Sequence, residues 1–402
     1  MKAYIQLLKE NNILRRLSTI QLITYFGAWF SNVAIYTLLL DLDVSAEIVA
    51  FVAMLHFLAG IVQAPFSGTI IDRIDTKKLM LSLISVEMVS TFLLISIKDV
   101  SDISFLYLLI FLKMAAASFY FTSEMSLLPK ILDGEKLQKA NELHSIIWSL
   151  SYTLGMSISG FVVYIFGIKV AFLLDSMMFA TAFILLYNVD IVIKLKSTKE
   201  SLVYMMKDTI NYLSTNTKAV HLMMIHAFVG VTAFDALVAL MVDNYYSSII
   251  ATSLALGLLH SARAIGLVVG PIALGKWINN KRLFYIFLSQ GISIWIWGYF
   301  MENFYLSLVA SIFVGFFTTT LWSYTYTLLQ KNIEEKYYGR VVAYNDMLFL
   351  TTATFISFMT GYLFLNSFSL EFISFLMGLC FVVGGVYYLW ILKYKNIEEI
   401  SV

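Results

Sequence analysis

Apolar stretches long enough to cross a lipid bilayer recur along the whole chain, and they constrain its fold more than any other feature. A spanning helix needs roughly 20 predominantly apolar residues, because the hydrocarbon layer is about 30 Å thick and each helical residue rises about 1.5 Å. Alternation of apolar and polar residues, the pattern of a membrane β-barrel, is absent. The sequence predicts an all-α integral membrane protein with twelve transmembrane helices, near residues 17–40, 48–71, 78–97, 103–128, 140–166, 170–193, 219–242, 251–275, 283–300, 304–329, 340–365 and 370–392.

The composition supports this class and excludes several others. Hydrophobic residues make up 60% of the chain and charged residues 13%, against about 45–50% and about 25% in soluble domains. A net charge of +1 gives no basic surface for nucleic acid, so lipid is the predicted partner. The single cysteine, Cys380, excludes an intrachain disulfide and a Cys-based metal site. The chain also lacks a phosphate-binding loop and a catalytic constellation, so neither ATP drive nor enzyme activity is predicted, and neither is a cofactor or a metal.

The positions of the basic residues predict the orientation. Lys and Arg in short loops resist translocation and stay on the cytoplasmic side. If both termini are cytoplasmic, most of the 27 basic residues fall inside, while Lys98 and Lys169 fall in outer loops. We therefore predict a multi-pass protein of the cell inner membrane with both termini in the cytoplasm.

The longest polar stretch divides the chain into two halves. Residues 194–218 form the predicted cytoplasmic linker between an N-terminal six-helix bundle, 1–193, and a C-terminal one, 219–402. Within the linker, apolar residues are spaced as on one face of an amphipathic helix lying on the inner membrane surface. These residues are Leu202, Val203, Met206, Ile210 and Leu213.

The two halves show weak internal similarity. A shift of 203 or 204 residues aligns equivalent positions within corresponding spans and loops, which favours a duplicated six-helix unit and hence two pseudo-symmetric bundles. The aligned positions are Gly27 with Gly230, Asn32 with Asp235, Lys77–Leu79 with Lys281–Leu283, and Asn141–Glu142 with Asn345–Asp346.

The loop between the second and third spans carries the strongest local motif. Gly68 is followed at fixed spacing by Asp72 and Arg73, and then by Lys77 and Lys78. This pattern resembles the G-x-x-x-D-R-x-x-x-K/R-K/R loop signature of the major facilitator superfamily. Gly68 allows neighbouring helices to approach, and Asp72 can accept a hydrogen bond from a helix start or pair with a cation, so we interpret the loop as a gating latch. The alternative is a basic loop that only fixes topology.

Two further stretches are similar to the macrolide-efflux and siderophore-export proteins of this superfamily. One comprises Ala117–Phe121, Leu127–Pro129 and Leu137–Asn141, and the other is Gly339–Val341. The resemblance implies that spans one, four, seven and ten line a central cavity. It also implies a secondary transporter that exports a small amphiphilic compound by alternating access.

Ionisable residues inside spans point to a pathway, because a charge in hydrocarbon costs about 2.5–3.5 kcal/mol on insertion scales. In the fourth span, Lys113 and Glu124 differ by only about 20° around the helix but by about 16 Å along it, so they share a face without pairing. Both are cavity candidates, although either could instead snorkel to an interface. Glu87 and Asp175 are interpreted as mainly structural.

Asp235 in the seventh span is the candidate coupling site. A carboxylate in an apolar run can exchange a proton or bind a cation as its surroundings change. Arg263 in the eighth span is the expected counter-ion, and His260 lies on the same helix face. The alternative is a static hydrogen-bonded pair of Asp235 with Asn32 or Arg263.

Aromatic residues on the presumed cavity spans are candidates for substrate contact. Tyr36, Tyr120, Trp322 and Tyr326 present faces that hold lipophilic groups and cations. Aromatics are also common in membrane cores and interfacial belts, which is the alternative.

Several functions remain open from the sequence. Export of a drug or macrolide by an ion-coupled monomer, with protons as the coupling ion, is the leading interpretation. A siderophore exporter, a lipid or lysophospholipid flippase, an uptake carrier and a non-transporting receptor or scaffold are the alternatives.

Overall fold

The computed structural model describes residues 2–132, 134–189, 202–275, 277–334, 337–395 and 397, and these are helical almost throughout. Helices α1 to α7 are Lys2–Glu10, Asn12–Asp41, Ala46–Arg73, Thr76–Leu93, Ile103–Ile131, Gly134–Phe166 and Ile168–Tyr187. Helices α8 to α15 are Leu202–Thr215, Thr217–Ala227, Asp235–Met241, Thr252–Leu274, Leu283–Tyr299, Phe304–Lys331, Tyr338–Leu365 and Leu370–Tyr394.

The predicted all-α membrane fold is confirmed. Within the described residues, 11 helical segments are long and apolar enough to cross a membrane: α2 to α7, the α9–α10 segment, α11, and α13 to α15. The ninth predicted span, α12, is apolar but has 17 residues, about 25 Å of helix. It therefore falls short of the usual length by about one turn.

Short polar side chains fix where many of these helices begin. Each accepts a hydrogen bond from the backbone N–H three residues later, which satisfies a donor that has no partner inside the helix. The caps with this geometry include Asn11, Asp75, Asn216, Asn303 and Ser369.

Contacts divide the chain into two compact units. One contains Met1–Val44 and Ala59–Lys199, and the other contains Ser45–Leu58 and Glu200–Val402. In the first unit α4 packs against α5 and α7, and in the second α12 packs against α13 and α15. The same pairing of spans three, four and six thus recurs as spans nine, ten and twelve, as a duplicated bundle requires. The predicted limits at 193 and 219 stay predictions, since residues 190–201 lie outside the described part.

The linker contains a helix, α8, which contacts Tyr337 and Arg340 at the start of α14. Arg340 Nη1 donates to Asp208 Oδ2 over 3.1 Å, and Tyr212 stacks on Tyr337 with ring centroids 4.0 Å apart. Of the predicted apolar stripe, Val203 and Ile210 are 71% and 54% exposed, whereas Met206 and Leu213 are partly buried. The exposed part of the stripe is available for a lipid surface.

Helices α11 and α13 are in direct backbone contact. Gly266 and Gly270 on α11, and Gly315 on α13, each lie against a carbonyl of the facing helix, so closely that a Cβ atom would overlap it. Spacing of small residues by four is how membrane helices approach each other without side chains between them. This contact fixes α11, which carries His260 and Arg263.

Candidate functional site

The seventh span is interrupted in its middle, whereas the sequence predicts one continuous helix over 219–242. Helix α9 gives way to a 3₁₀ segment, Phe228–Thr232, before α10 begins at Asp235. Ala233 has non-helical dihedral angles, φ −73° and ψ 76°. Gly230 lies against the backbone of α14, so the break coincides with a close helix approach. Irregular backbone at membrane depth must be satisfied by protein groups or line a cavity.

Arg263 of α11 provides a hydrogen-bond donor to this irregular backbone. Its Nη2 donates to the Thr232 carbonyl over 3.0 Å, and its guanidinium lies 4.9 Å from the centre of the Phe234 ring. Both contacts are to residues at the break in span seven. Arg263 therefore holds the interrupted backbone and places a positive charge beside the start of α10.

Asp235 lies at this break and faces two groups of α11. His260 Nε2 is 4.0 Å from Asp235 Oδ1, and the side chains are 2% and 13% exposed, respectively. Arg263 also acts electrostatically on the Asp235 carboxylate. Asp235 Oδ1 and His260 Nδ1 have no hydrogen-bond partner among the described residues. The structure thus places His260 beside Asp235 and Arg263 within electrostatic reach of it. The coupling role of Asp235 and the counter-ion role of Arg263 stay predictions.

A small cavity, about 10 Å³, adjoins this group. That is about the room one water molecule needs. Its wall combines the charged group with apolar and aromatic side chains of span seven, α11, α12 and α13. The lining residues are Phe234, Val238, Leu259, His260, Arg263, Trp297, Ser311 and Val314.

In the first unit, Lys113 pairs with Asp175, and its place on a substrate pathway stays a prediction. Lys113 Nζ is 3.3 Å from Asp175 Oδ2, and the side chains are 1% and 0% exposed. Lys113 also donates to the Ser31 hydroxyl, and Glu87 of α4 interacts electrostatically with both members of the pair. Two acids and one base are therefore buried together among α2, α4, α5 and α7. The sequence identified Lys113 but not the partner, which lies 62 residues away.

Glu124 belongs to a second, separate group in the same unit, as the predicted lack of pairing with Lys113 requires. Tyr25 Oη donates to Glu124 Oε2 over 3.1 Å and lies 3.5 Å from His144 Nε2. Phe121 and Tyr25 stack with centroids 6.1 Å apart. His144 is a residue that the sequence analysis missed, and a lone histidine beside a polar loop gives no distinctive signal.

Trp322 and Tyr326, two of the predicted aromatic contacts, lie side by side on α13. Their rings stack with centroids 5.1 Å apart, at 19°. Both contact His226 of α9, with ring centroids 5.9 and 5.5 Å from the imidazole, respectively. The structure thus places these two aromatic rings beside His226. A single histidine in a span is only a weak sequence signal of function.

The first turn of α4 packs on the end of α7. Lys77 Nζ donates to the Tyr187 carbonyl over 2.8 Å, a favourable place for a cation because helix C-termini are partly negative. Asp75 accepts from the Lys78 backbone N–H over 2.9 Å and so caps α4. The Asp-Thr-Lys-Lys order was the available signal for this cap. The surroundings of Gly68 and the side chains of Asp72 and Arg73 lie outside what the structure describes, so the latch stays a prediction.

Comparison with known proteins gives the family. The Major Facilitator Superfamily profile matches residues 17–242, more than half of the chain. The chain belongs to the major facilitator superfamily. This match does not distinguish the macrolide-efflux subgroup within the superfamily.

Three similar proteins illustrate the relationship to the superfamily. The "Uncharacterized MFS-type transporter YkuC" of Bacillus subtilis is 27% identical over 171 residues, which are 42% of this chain and 40% of that protein. The nucleoside transporter NupG matches with TM-score 0.73 and 11% identity over 96% of this chain and 100% of its own. A D-xylose–proton symporter matches with TM-score 0.76 and 11% identity, over 96% and 98%. Identity this low shows the shared fold alone.

The remaining predicted cavity residues of this superfamily member lie within the first unit's interior. Asn32, Tyr36 and Tyr120 are each at most 2% exposed, and Tyr120 belongs to an apolar core cluster. Their contact with substrate stays a prediction. Among the described residues, no group of three His, Cys, Asp or Glu side chains is arranged to hold a metal ion.

Proposed function

We propose that this protein is a secondary active transporter of the inner membrane that exports a small amphiphilic compound, drug-like or macrolide-like, by alternating access and in exchange for protons. The observation that carries the proposal is the buried group of Asp235, His260 and Arg263 at the break in span seven. Discontinuous helices with charged groups near the bilayer midplane are where transporters bind substrates and coupling ions.

The group has the chemistry that coupling needs. An ionised Asp235 is stabilised by Arg263, while a protonated Asp235 leaves Arg263 with the Thr232 carbonyl and the Phe234 ring. The two protonation states therefore favour different contacts across the junction of span seven and α11. A proton taken up at Asp235 would change the relative stability of two arrangements of these helices, and such a change links an ion gradient to a conformational cycle.

Direction and substrate class have their own support. The similarity of Ala117–Phe121, Leu137–Asn141 and Gly339–Val341 to export proteins favours efflux. The cavity in this structure has room for about one water molecule, so a substrate needs a more open state of the transport cycle. In that state, the apolar and aromatic side chains beside the charged group would contact the lipophilic part of an amphiphilic compound.

The test uses purified protein in vesicles with an imposed pH gradient. Flux of a radiolabelled macrolide should follow the gradient in the unaltered protein and fall to the protein-free level in Asp235→Asn. Asp243→Asn is the control, because it makes the same chemical change at an exposed position on the same span, and it should transport normally.

The other outcomes identify the alternatives. Gradient-driven flux of a siderophore but not a macrolide would assign the siderophore exporter. Movement of a fluorescent phospholipid without macrolide flux would assign a flippase. Full gradient-driven flux in Asp235→Asn would remove Asp235 from coupling, and absence of all three movements would favour the receptor or scaffold.

A further inference from the structure

His226 of α9 is completely buried, at 0% exposure, and bonded through one ring nitrogen only. Its Nδ1 lies 2.9 Å from the Thr325 hydroxyl of α13. Its Nε2 is buried and has no hydrogen-bond partner among the described residues. A buried polar atom without a partner is costly and needs an explanation.

The contacts of Thr325 determine which nitrogen carries the proton. The Thr325 hydroxyl donates its own hydrogen to the Leu321 carbonyl over 2.7 Å. It must therefore accept from His226, so Nδ1 is the N–H donor and the neutral ring keeps its lone pair on Nε2. The unsatisfied atom is an acceptor that requires a donor.

Three aromatic rings enclose the imidazole. Tyr326, Trp322 and Phe349 have their centroids 5.5, 5.9 and 5.9 Å from it. Trp322 is 39% exposed and is the outermost of the three. Since Nε2 is buried and Trp322 is the most exposed of the three rings, the Trp322 indole is the group that a ligand would displace to reach Nε2.

An acidic residue acts electrostatically on this group. Asp346 of α14 interacts with Tyr326, and Asn345 donates to the Asp346 carboxylate over 3.4 Å. A cation bound among these rings would be stabilised by the ionised form of Asp346.

We propose that His226, Trp322, Tyr326 and Phe349 form a recognition site for a protonated amine carrying at least one N–H. The N–H donates to Nε2, and the positive charge is stabilised by the ring faces and by Asp346. A neutral donor would hydrogen-bond to the Nε2 lone pair but would lack the charge that the ring faces stabilise. A quaternary ammonium would have the charge but no N–H to donate to Nε2. The inference names the substrate class of the proposed exporter, and it rests on that proposal for the transport step that comes after binding.

The experiment compares two probes that differ only in the donor. N,N-dimethyl-2-(2-naphthyl)ethylamine, protonated at neutral pH, has one N–H, and its N-methylated quaternary analogue has none. Titration of the detergent-purified full chain should show the tertiary amine binding about tenfold tighter or more, the effect of one charge-assisted hydrogen bond.

Variants of the site test which residue produces the preference for the tertiary amine. His226→Phe keeps an aromatic ring but loses the acceptor, so the preference should fall to about one while the quaternary probe binds within about twofold of its original affinity. Thr325→Val, a smaller change, should also reduce the preference, because Nδ1 loses its acceptor and the ring proton is free to move to Nε2. Trp322→Leu should weaken both probes, by about threefold to thirtyfold.

His221→Phe is the matched control. His221 lies on the same helix and contacts Tyr387 and Trp390, so the substitution also replaces an imidazole in aromatic surroundings. The preference of the unaltered protein should persist in this variant.

Equal binding of the two probes, no binding of either, or a preference that survives both His226→Phe and Thr325→Val would overturn the site. The outcome is separable from that of the exporter proposal. Amine binding without gradient-driven flux would reject export and keep the site, whereas Asp235-dependent flux without amine preference would keep export and reject the site.

Discussion

Lys113 and Asp175 form an ion pair that is shut off from solvent inside the first unit. Removing one member of a buried pair leaves an uncompensated charge, which costs about 3–5 kcal/mol, while replacing both with apolar residues is often neutral. Glu87 is a second acid that interacts electrostatically with the same cation. The pair therefore contributes to the arrangement of α5 and α7 whether or not it also lies on a pathway.

We expect Lys113→Met to lower the free energy of unfolding by about 3–5 kcal/mol, since Asp175 and Glu87 are then buried without a cation. The double variant Lys113→Met with Asp175→Leu should recover the part of that loss that comes from Asp175, while Glu87 stays without a cation. Thermal unfolding of the purified variants, followed by intrinsic fluorescence, measures both. Equal losses in the single and double variants would mean that the pairing itself contributes little.

At the residue scale, the ionisable groups inside spans could be predicted from the sequence, but the residues that they contact could not. Lys113, Glu124, Asp235 and Arg263 could be selected because charge in an apolar run is costly. Helical periodicity gives the face of a residue on its own helix and says nothing about the neighbouring helix. The sequence therefore indicates a mainly structural role for Asp175 without identifying Lys113 as its direct partner.

At the element scale, the spans could be predicted from length and apolarity, but the break in span seven could not. The segment from Met223 to Val242 is apolar enough to predict a continuous helix. The interruption comes from packing, because Gly230 lies against α14 and Arg263 donates a hydrogen bond to the Thr232 carbonyl. Neither contact is visible in a one-dimensional pattern.

The glycine contact between α11 and α13 yields a second prediction. Gly266→Ala should force the two backbones apart, because its Cβ would overlap a carbonyl of α13, at a cost of about 1–3 kcal/mol. Gly339→Ala is the control, since an added Cβ there meets no atom within 4 Å.

Thermal unfolding and vesicle flux should both fall for Gly266→Ala, because the same helix carries His260 and Arg263. Gly339→Ala should unfold at or slightly above the normal temperature, as alanine is the better helix former. Indistinguishable melting curves for the two variants would show that the helices separate freely at this point.

At the scale of the whole molecule, the internal repeat extends to the turn that precedes the third and ninth spans. Asp75 accepts from the Lys78 N–H over 2.9 Å, and Asn279, at the equivalent position, accepts from the Arg282 N–H over 3.0 Å. The first bond caps α4, whereas α12 begins after Arg282 without a side-chain cap. The second loop thus keeps the side-chain turn and the cations, so the Asp72–Arg73 pair of the predicted latch distinguishes the first.

The topology depends on the shortest span. Helix α12, with 17 residues, must cross the bilayer for the two termini to lie on the same side, because 11 other segments have spanning length. A helix about 25 Å long can cross if the bilayer thins locally or flanking residues reach the interface, at a modest cost. The paired contacts of α12 with α13 and α15 favour a crossing helix, since α4 makes the equivalent contacts in the first unit.

This crossing can be tested with single cysteines on either side of α12. In a background with Cys380→Ala, we expect a membrane-impermeant maleimide to label Glu302→Cys in intact cells and Lys281→Cys only after the membrane is permeabilised. Both positions are exposed, so the comparison reports sidedness and not burial. Labelling of both from the outside would mean that α12 turns back within the membrane, and the amino and carboxyl ends would then lie on opposite sides, against the distribution of the 27 basic residues.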